Sequence, residues 1–326
     1  MRRLIRAGLA AALALSVSAP ALAADAWPSK PLTLVVPFGP GSSPDMMSRV
    51  IAEQASQTLG QPIVIQNRPG ASGNLGTGVI AKAAPDGYTF GVSITGPMVN
   101  NTVLYKELPY DPKKDLSPLT LGVHQPNILV VPASSPIQSL EDLLKAMRDP
   151  ATPYNFPSTG AGTVSHLSVE LLLERVGGKA VHVPYPSSPA AVTSLVAGDT
   201  HFAALPPIAV MPLIKDGRLR ALAVVSDSRE RVSFLPDAPT LAERGIEGIE
   251  GSGWIGFVAP SGVPADIKRK LADALIKAIH HPEVQTRLKA QFMEPVGNQP
   301  EEFGKYMDEE LQRWAPLIKR LNLSVG

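Results

Sequence analysis

The sequence feature that most constrains the fold is a strand that runs into a Gly/Pro/Ser loop and then directly into a helix. The apolar run Leu32–Val36 predicts a buried strand, and the segment 44–59 carries apolar residues at helical spacing. We expect Ser43 to be the N-cap of this helix and Asp45 to lie in its first turn. A helix that begins at such a loop directs free backbone N–H groups and the positive end of its dipole to one place. The junction therefore predicts an anion-binding site.

A second junction of the same kind lies near the middle of the chain. The short β-type run Tyr154–Phe156 is followed by a loop with Gly160 and Gly162 and by a helix for which Thr163 is the expected cap. The glycines allow a ligand to approach the backbone closely, and the serine and threonine hydroxyls of the loop add hydrogen-bond donors. Two such anion sites in one chain predict a carboxylate receptor.

Short β-branched runs alternate with helical patterns along the chain, which is typical of an α/β fold. The first half predicts a βαβαβ unit, and a second set of strands and helices follows between 139 and 225. We therefore predict two lobes, each a mostly parallel sheet flanked by helices. We interpret the extended segments Ile128–Val131 and Trp254–Val258 as two crossings that form a hinge between the lobes. Lobe 1 then comprises 24–124 plus 253–326, and lobe 2 comprises 125–252.

The first residues have the three-part organisation of a secretory signal peptide. A basic start with Arg2, Arg3 and Arg6 precedes an apolar run from Ala7, and Ala21-Leu22-Ala23 is a small-x-small cleavage site. The apolar run is shorter than the roughly 20 residues that a membrane-spanning helix needs. We therefore expect residues 1–23 to be removed and the mature protein to lie outside the cytoplasm.

Composition excludes several functional classes. The chain has no cysteine, which excludes disulfides, thiolate metal ligands and cysteine nucleophiles. Its formal net charge is +1 and would become −2 without the leader, and no long basic run is present, so nucleic acid is not an expected partner. The six histidines show no i,i+4 pair, and no phosphate-binding Gly-Lys-Ser/Thr loop occurs, so we expect neither a metal nor a cofactor.

Several motifs together resemble the tripartite tricarboxylate transporter receptors, also called Bug proteins. The resemblance runs from about Trp27 to the C-terminus and is carried by these stretches: Lys30–Arg49, Asn67–Gly76, Ala84–Thr89, Leu108–Pro112, Ser165–Leu167, Val183–Tyr185, Leu222–Val224, Pro239–Gly245 and Arg313-Trp314. It implies a two-lobed periplasmic-binding-protein fold of the type II kind. It also implies a monomer that carries a small carboxylate between its lobes to a two-component membrane permease, with the carboxylates held mainly by backbone amides and waters.

The expected ligand-binding residues come from the two loops and from neighbouring strand ends. They are Phe38, Gly39, Gly41, Ser42, Ser43, Asp45, Ser93, Thr95, Ser158, Thr159, Gly160, Gly162, Thr163, Ser165, His166 and Tyr185. Three assignments have alternatives that the sequence leaves open. Asp45 caps local amides or contacts a ligand, His166 donates to a ligand or braces its loop, and Tyr185 lines the pocket or belongs to the core. For Ser93 and Thr95 an ordinary loop is the equal alternative.

Other functions use the same residues differently. A periplasmic carboxylate sensor would need the same cleft and differs only in its partner. A secreted serine hydrolase would use Ser165 with His166, but a Gly-x-Ser-x-Gly elbow is absent and neighbouring side chains on a helix diverge by about 100°. The expected ligand is a di- or tricarboxylate or an aromatic carboxylate. The resembled family tends to carry an acid where Ser194 stands, and we hypothesise that the lower negative charge on this side suits a ligand with an apolar or aromatic body.

Overall fold

The structure is a computed structural model that describes residues 27–149, 151, 153–232, 234–249 and 251–325. The predicted signal peptide at 1–23 lies outside the described residues. Within the described part of the chain, no helix combines the length and apolarity needed to cross a membrane.

The first half forms the predicted βαβαβ unit. Its strands and helices are β1 (Leu32–Val36), α1 (Ser43–Leu59), β2 (Ile63–Asn67), α2 (Asn74–Ala81) and β3 (Thr89–Ile94). β1 pairs in parallel with both β2 and β3, so the expectation of a parallel unit here is confirmed. A 3-10 turn (Ala71–Gly73) precedes α2, and a π-helical turn (Gly96–Asn100) with two short helices, α3 (Asn101–Leu104) and α4 (Pro112–Asp115), follows β3.

The second half begins with one long strand, β4 (Leu116–Pro132). The following elements are α5 (Leu140–Arg148), β5 (Asn155–Ser158), α6 (Val164–Val176), β6 (Val181–Pro184), α7 (Ser188–Ala197), β7 (Ala203–Leu205), α8 (Pro207–Lys215) and β8 (Leu219–Val225). The chain then returns through a 3-10 turn (Ala242–Arg244) and ends with β9 (Ser252–Pro260), α9 (Ala265–Ile279), α10 (Pro282–Ala290), β10 (Glu294–Pro295) and α11 (Pro300–Arg320).

β4 connects the two sets of strands. Up to Pro126 it pairs with β9 and β10, and from Asn127 onward it pairs with β8 and β7. The resulting strand order is β10-β4-β9-β3-β1-β2, with β7 and β8 also on β4, while β5 and β6 form a separate parallel pair. The segments interpreted as crossings thus belong to β4 and β9. The division into lobes at 124/125 and 252/253 stays a prediction.

The α/β fold with helices flanking the sheet is confirmed, but the strands around the crossings are antiparallel. β9 runs antiparallel to β3 and β4, and β7 and β8 run antiparallel to β4. The reason is topological: the chain leaves the first set of strands along β4 and returns along its neighbour β9. Two adjacent segments that cross in opposite senses pair as an antiparallel ladder.

Two large apolar clusters lie on either side of these crossings. The first contains Leu34, Met47 and Phe90, and the second contains Phe156 and Leu167. The C-terminal helix α11 packs against both sides of the molecule. Its Phe303 end packs against Trp254, whereas its last turns add Trp314, Leu317 and Ile318 to the second cluster. Glu310, between them, accepts hydrogen bonds from the indole N–H groups of Trp254 and Trp314 at 3.3 and 3.1 Å.

Gly91 on β3 provides a stability test of this packing. A methyl group added there would meet the side chain of Ile80 on α2 and lie 2.8 Å from the carbonyl oxygen of Val35. We expect Gly91→Ala to lower the free energy of unfolding by about 1–3 kcal/mol because the core is overpacked. The measurement is equilibrium unfolding in urea.

Gly304→Ala on α11 is the matched control. Its Cβ would lie 3.6 Å from Pro118, an ordinary contact, and alanine in a helix is favoured over glycine by about 0.5–1 kcal/mol. This variant should be at least as stable as the wild type. Equal stability of Gly91→Ala and the wild type would contradict the packing described for β3.

Candidate functional site

The first predicted anion loop ends in a helix start one residue earlier than expected. The N-cap of α1 is Ser42, and Ser43 and Pro44 are the first two helical residues, so the assignment of Ser43 as the cap was wrong by one position. Gly41 has φ +77°, and Ser42 Oγ donates to Gly39 O at 2.6 Å. The turn closes on itself through Ser42, and Ser43 Oγ has no hydrogen-bond partner among the described residues.

Asp45 is held by groups of its own loop and its neighbours. Its carboxylate accepts hydrogen bonds from Gly41 N (3.0 Å), from the Arg49 guanidinium (2.9 and 3.1 Å) and from Asn67 Nδ2 (3.0 Å). Burial opposes the charged form, but these hydrogen bonds together outweigh burial, so the pKa of Asp45 lies below its usual value. The geometry corresponds to the capping alternative for Asp45.

The second predicted loop is braced in the same way. Thr163 is the N-cap of α6, and its Oγ1 donates to Gly160 O at 2.7 Å. Ser165 Oγ accepts from Thr159 N at 3.0 Å, and His166 Nδ1 accepts from Gly162 N at 3.1 Å. His166 therefore braces the loop from the first turn of the helix.

Behind this loop, two imidazole rings stack in the interior. The rings of His166 and His182 lie 3.8 Å apart between centroids, with an interplanar angle of 15°. His182 Nε2 lies 2.6 Å from Ser158 Oγ, which also accepts from Gly160 N. Burial, with a smaller contribution from the neighbouring His166, lowers the pKa of His182 to about 3. His182 is thus neutral and fixes the position of Ser158 under the loop.

The loops from the two halves of the chain touch one another. A Cβ placed on Gly39 would lie 3.6 Å from Ser187 Cβ, and one placed on Gly160 would lie 2.6 Å from Ser72 Oγ. Asn100 Nδ2 donates to Gly162 O at 2.7 Å. Because Gly160 also has φ +128°, a larger residue there would be strained and would push Ser72 away. The structure therefore shows the two halves closed on one another.

A cavity of about 70 Å³ lies between the closed loops. Its lining comes from both halves and from the crossing strands: Phe38, Ser42, Ser43, Pro44, Ile94, Thr95, Gln125, Asn127, Thr159, Thr163, Val164, Ser165, Ser188, Pro206, Gly253, Trp254 and Ile255. None of these residues carries a charge. The helices α1, α6 and α7 all begin at residues of this lining, so three positive dipole ends meet at the cavity.

Three hydroxyl groups of the lining have no hydrogen-bond partner among the described residues. They are Ser43 Oγ, Thr95 Oγ1 and Ser188 Oγ, and the three residues are only 3, 1 and 2% exposed. A buried hydroxyl without a partner costs about 1–3 kcal/mol. Three such groups around one cavity provide donors that a polar ligand can use.

The structure brings seven of the sixteen expected residues to the cavity: Phe38, Ser42, Ser43, Thr95, Thr159, Thr163 and Ser165. The other nine lie outside its lining: Gly39, Gly41, Asp45, Ser93, Ser158, Gly160, Gly162, His166 and Tyr185. Most of these support the loops through the contacts described above. Ser93 bonds to Thr77 Oγ1 at 3.0 Å in the interior, and Tyr185 packs beside the apolar cluster around Val210.

Sequence reasoning missed several residues of the lining. Gln125, Asn127 and Trp254 lie where the strands cross, and Ser188 begins α7. One signal for Ser188 was present: Ser187-Ser188-Pro189 repeats the Ser42-Ser43-Pro44 start of α1. Nothing local marks the crossing-strand residues, because their place depends on how the two halves meet.

Comparison with known proteins gives consistent similarities. The sequence profile described as "Tripartite tricarboxylate transporter family receptor" matches residues 47–323. The chain is 37% identical over 326 residues to the UPF0065 protein in the tcbD-tcbE intergenic region of Pseudomonas sp. strain P51, covering all of this chain and 96% of the relative. It is 34% identical over 304 residues to Protein BugT of Bordetella pertussis, covering 93% of this chain and 92% of BugT.

Solved structures of similar proteins include carboxylate complexes. The periplasmic binding protein BugD superposes with a TM-score of 0.85 at 30% identity, covering 91% of this chain and 99% of BugD. A Rhodopseudomonas palustris protein with adipate gives 0.86 at 33% identity, covering 91% and 99% of the two chains. MatC of the same species, with bound malate, gives 0.84 at 30%, covering 90% of this chain and all of MatC.

Asp45→Asn tests the support of the first loop. We expect this variant to lower the free energy of unfolding by about 1–3 kcal/mol at pH 7, because the buried hydrogen bonds lose their charged acceptor. The pKa of Asp45 is lower in the folded protein than in the unfolded chain, where it is near 3.8. The ionised carboxylate therefore stabilises the fold above pH 3.8, and this stabilisation is lost as the pH falls through the pKa of the folded state. The difference from the wild type should therefore shrink below about pH 4 in urea unfolding.

Glu53→Gln, on an exposed part of the same helix, is the control for Asp45→Asn. Glu53 forms a surface ion pair with Arg287, and such pairs contribute about 0–1 kcal/mol. A loss for Asp45→Asn no larger than that of Glu53→Gln would contradict the role given to Asp45.

His182→Gln tests the buried imidazole pair. In the fold the pKa of His182 is about 3, whereas an unfolded histidine titrates near 6.5, so the unfolded chain binds the proton first as the pH falls. The stability of the wild type should therefore fall by about 1–2 kcal/mol more than that of the variant between pH 7 and about pH 5. Urea unfolding at both pH values measures this, and parallel pH profiles would show that His182 is not held neutral.

Proposed function

The chain belongs to the tripartite tricarboxylate transporter receptor family, and we propose that it is a periplasmic, non-enzymatic solute-binding protein for a small carboxylate. The ligand occupies the cavity between the two halves, and the loaded protein delivers it to a two-component membrane permease. The observation that carries this proposal is the set of three buried, unpartnered hydroxyls, on Ser43, Thr95 and Ser188, around a cavity at which three helices begin.

The chemistry of the lining favours an anion. Each helix N-terminus stabilises a nearby negative charge by about 0.3–1 kcal/mol when exposed and by up to about 2 kcal/mol when partly buried. Hydroxyl groups donate to carboxylate oxygens, and hydrogen bonds to a charged acceptor are roughly twice as strong as neutral ones. The malate and adipate complexes of two relatives support a carboxylate as the anion.

The volume of the cavity favours a compact solute. A buried water needs at least about 10–15 Å³ of such volume, so about 70 Å³ accommodates roughly five to seven separate waters. Covalently bonded atoms lie closer together than separate waters do. A dicarboxylate of about four carbons therefore fits within this volume. A tricarboxylate the size of citrate requires a wider cleft than this closed state offers.

The charge of the lining favours a ligand without an ammonium group. The described residues that line the cavity include no carboxylate, and the nearby carboxylate of Asp45 is already bonded to Arg49, Asn67 and Gly41 N. A buried ammonium group without a negative partner carries a large desolvation cost. Amino acids should therefore bind more weakly than the corresponding hydroxy acids.

The same geometry supports a binding role in place of hydrolysis. Ser165 Oγ is bonded to Thr159 and Thr163, while His166 Nδ1 accepts from Gly162 N. Ser158 does contact the imidazole of His182, but Ser158 is fully buried and lies outside the lining of the cavity. A solute in the cavity therefore does not meet a serine that is activated by a histidine.

A matched pair of ligands tests the proposed function. L-Malate and L-aspartate differ only by a hydroxyl group in place of an ammonium group. Since a ligand stabilises the fold by RT ln(1 + [L]/Kd), we expect malate to raise the melting temperature and aspartate to bind at least about tenfold more weakly. Thermal unfolding over a concentration series measures both.

The ligand series also includes succinate, adipate, citrate and benzoate. Saturable stabilisation by the smaller dicarboxylates would support the proposal, and tighter binding of citrate than of malate would contradict the argument from volume. A melting temperature that no carboxylate changes would contradict the receptor function.

A further inference from the structure

The starts of two helices share one sequence, placed at the same helix positions. Ser42-Ser43-Pro44 begins α1, and Ser187-Ser188-Pro189 begins α7. In each case the first serine is the N-cap with extended backbone, the second serine is the first helical residue, and proline follows. The first N–H groups of a helix have no acceptor within the helix, so the N–H of the second serine is an available donor. Proline fits the next position because its backbone angle is already helical and it has no N–H group to satisfy.

The two helix starts lie next to one another, and both contribute to the cavity lining. A Cβ on Gly39 would contact Ser187 Cβ at 3.6 Å, and a Cβ on Gly41 would contact Pro189 Cγ at 3.8 Å. The hydroxyls of Ser43 and Ser188 are both buried, both lack a partner among the described residues, and both residues line the cavity. The two halves of the chain thus contribute one matching donor each to the lining of the same cavity.

We propose that Ser43 and Ser188 form a hydroxyl clamp that binds one carboxylate group of the solute between α1 and α7. This inference rests on the proposed function and assigns Ser188 as a specificity-determining residue. Each serine donates its Oγ–H to one carboxylate oxygen, and the dipoles of the two helices favour the negative charge between them. The ligand then holds the two halves together directly, because its carboxylate bonds to both.

The clamp discriminates between a carboxylate and its primary amide. A carboxylate has two acceptor oxygens, one for each hydroxyl, whereas an amide has one oxygen and an NH₂ group that only donates. Replacement of the bound carboxylate by an amide also removes the charge that the helix dipoles stabilise. Succinamate, the monoamide of succinate, should therefore bind at its remaining carboxylate alone.

The test uses Ser43→Ala and Ser188→Ala with L-malate and succinate as ligands in isothermal titration calorimetry. We expect each substitution to raise Kd by about tenfold or more, since a hydrogen bond to a charged group is lost. Ser48→Ala on α1 and Ser168→Ala on α6 are the matched controls. Their hydroxyls are equally buried and unpartnered among the described residues, but neither residue lines the cavity, so Kd should change by less than about twofold.

Stability without ligand separates binding from folding. Ser43 and Ser188 hydroxyls have no partner among the described residues, so their removal should leave the melting temperature of the ligand-free protein unchanged or raised. The increase in melting temperature that malate produces should be smaller in both variants. A variant that melts lower without ligand but binds malate with the Kd of the wild type would show that its serine is structural.

The double variant tests whether both serines hold the same carboxylate. Groups that share one partner do not act independently. The factor by which Kd rises in Ser43→Ala/Ser188→Ala should therefore differ by at least about threefold from the product of the factors measured for the two single variants. A simple product would overturn the single-carboxylate clamp. If Ser188→Ala binds malate with the Kd of the wild type, the role of Ser188 is overturned and the receptor function stands. If the wild type binds no carboxylate, the clamp and the receptor function are both overturned.

Discussion

The proposed binding site depends on one arrangement: helix N-termini from both halves of the chain meet at a cavity that is lined by uncharged side chains. α1 comes from the first half, and α6 and α7 come from the second. Their positive dipole ends would repel one another across an empty space, and an anion between them converts that repulsion into attraction. The serine and threonine hydroxyls of the lining act in the same direction, because their burial without a partner is unfavourable and a ligand oxygen removes that cost. For the proposed receptor, we therefore expect closure of the two halves to depend on the charge of the ligand.

The rest of the fold positions these helix starts. β4 and β9 pair as antiparallel neighbours up to the point where each passes between the two sets of strands. α11 adds a second connection, with Phe303 packed on one side and Trp314 on the other. The loops of the two halves touch directly, for example where Gly160 approaches Ser72 and where Asn100 Nδ2 donates to Gly162 O.

The sequence predicted the local parts of this site and missed the parts that depend on the meeting of the halves. The strand Leu32–Val36, the loop after it and the helix that follows are encoded by apolar periodicity and by glycine, proline and serine at neighbouring positions, and all three are confirmed. Gln125, Asn127 and Trp254 face the cavity only because β4 and β9 cross there, and no short-range pattern contains that information. The sequence left two roles for His166, donation to a ligand or support of its loop. Its hydrogen bond with Gly162 N depends on a loop conformation with φ +79° at Gly162, which residue types alone do not determine.

A crystal structure of the protein with L-malate tests directly whether uncharged donors from both halves bind the carboxylate. The ligand should lie between the halves, with its carboxylate oxygens within hydrogen-bond distance of the Ser43 and Ser188 hydroxyls and of free N–H groups at the starts of α1 and α6. No arginine or lysine should contact it. A ligand bound elsewhere, or one whose carboxylates are held by basic side chains, would contradict the claim that uncharged donors from both halves form the site.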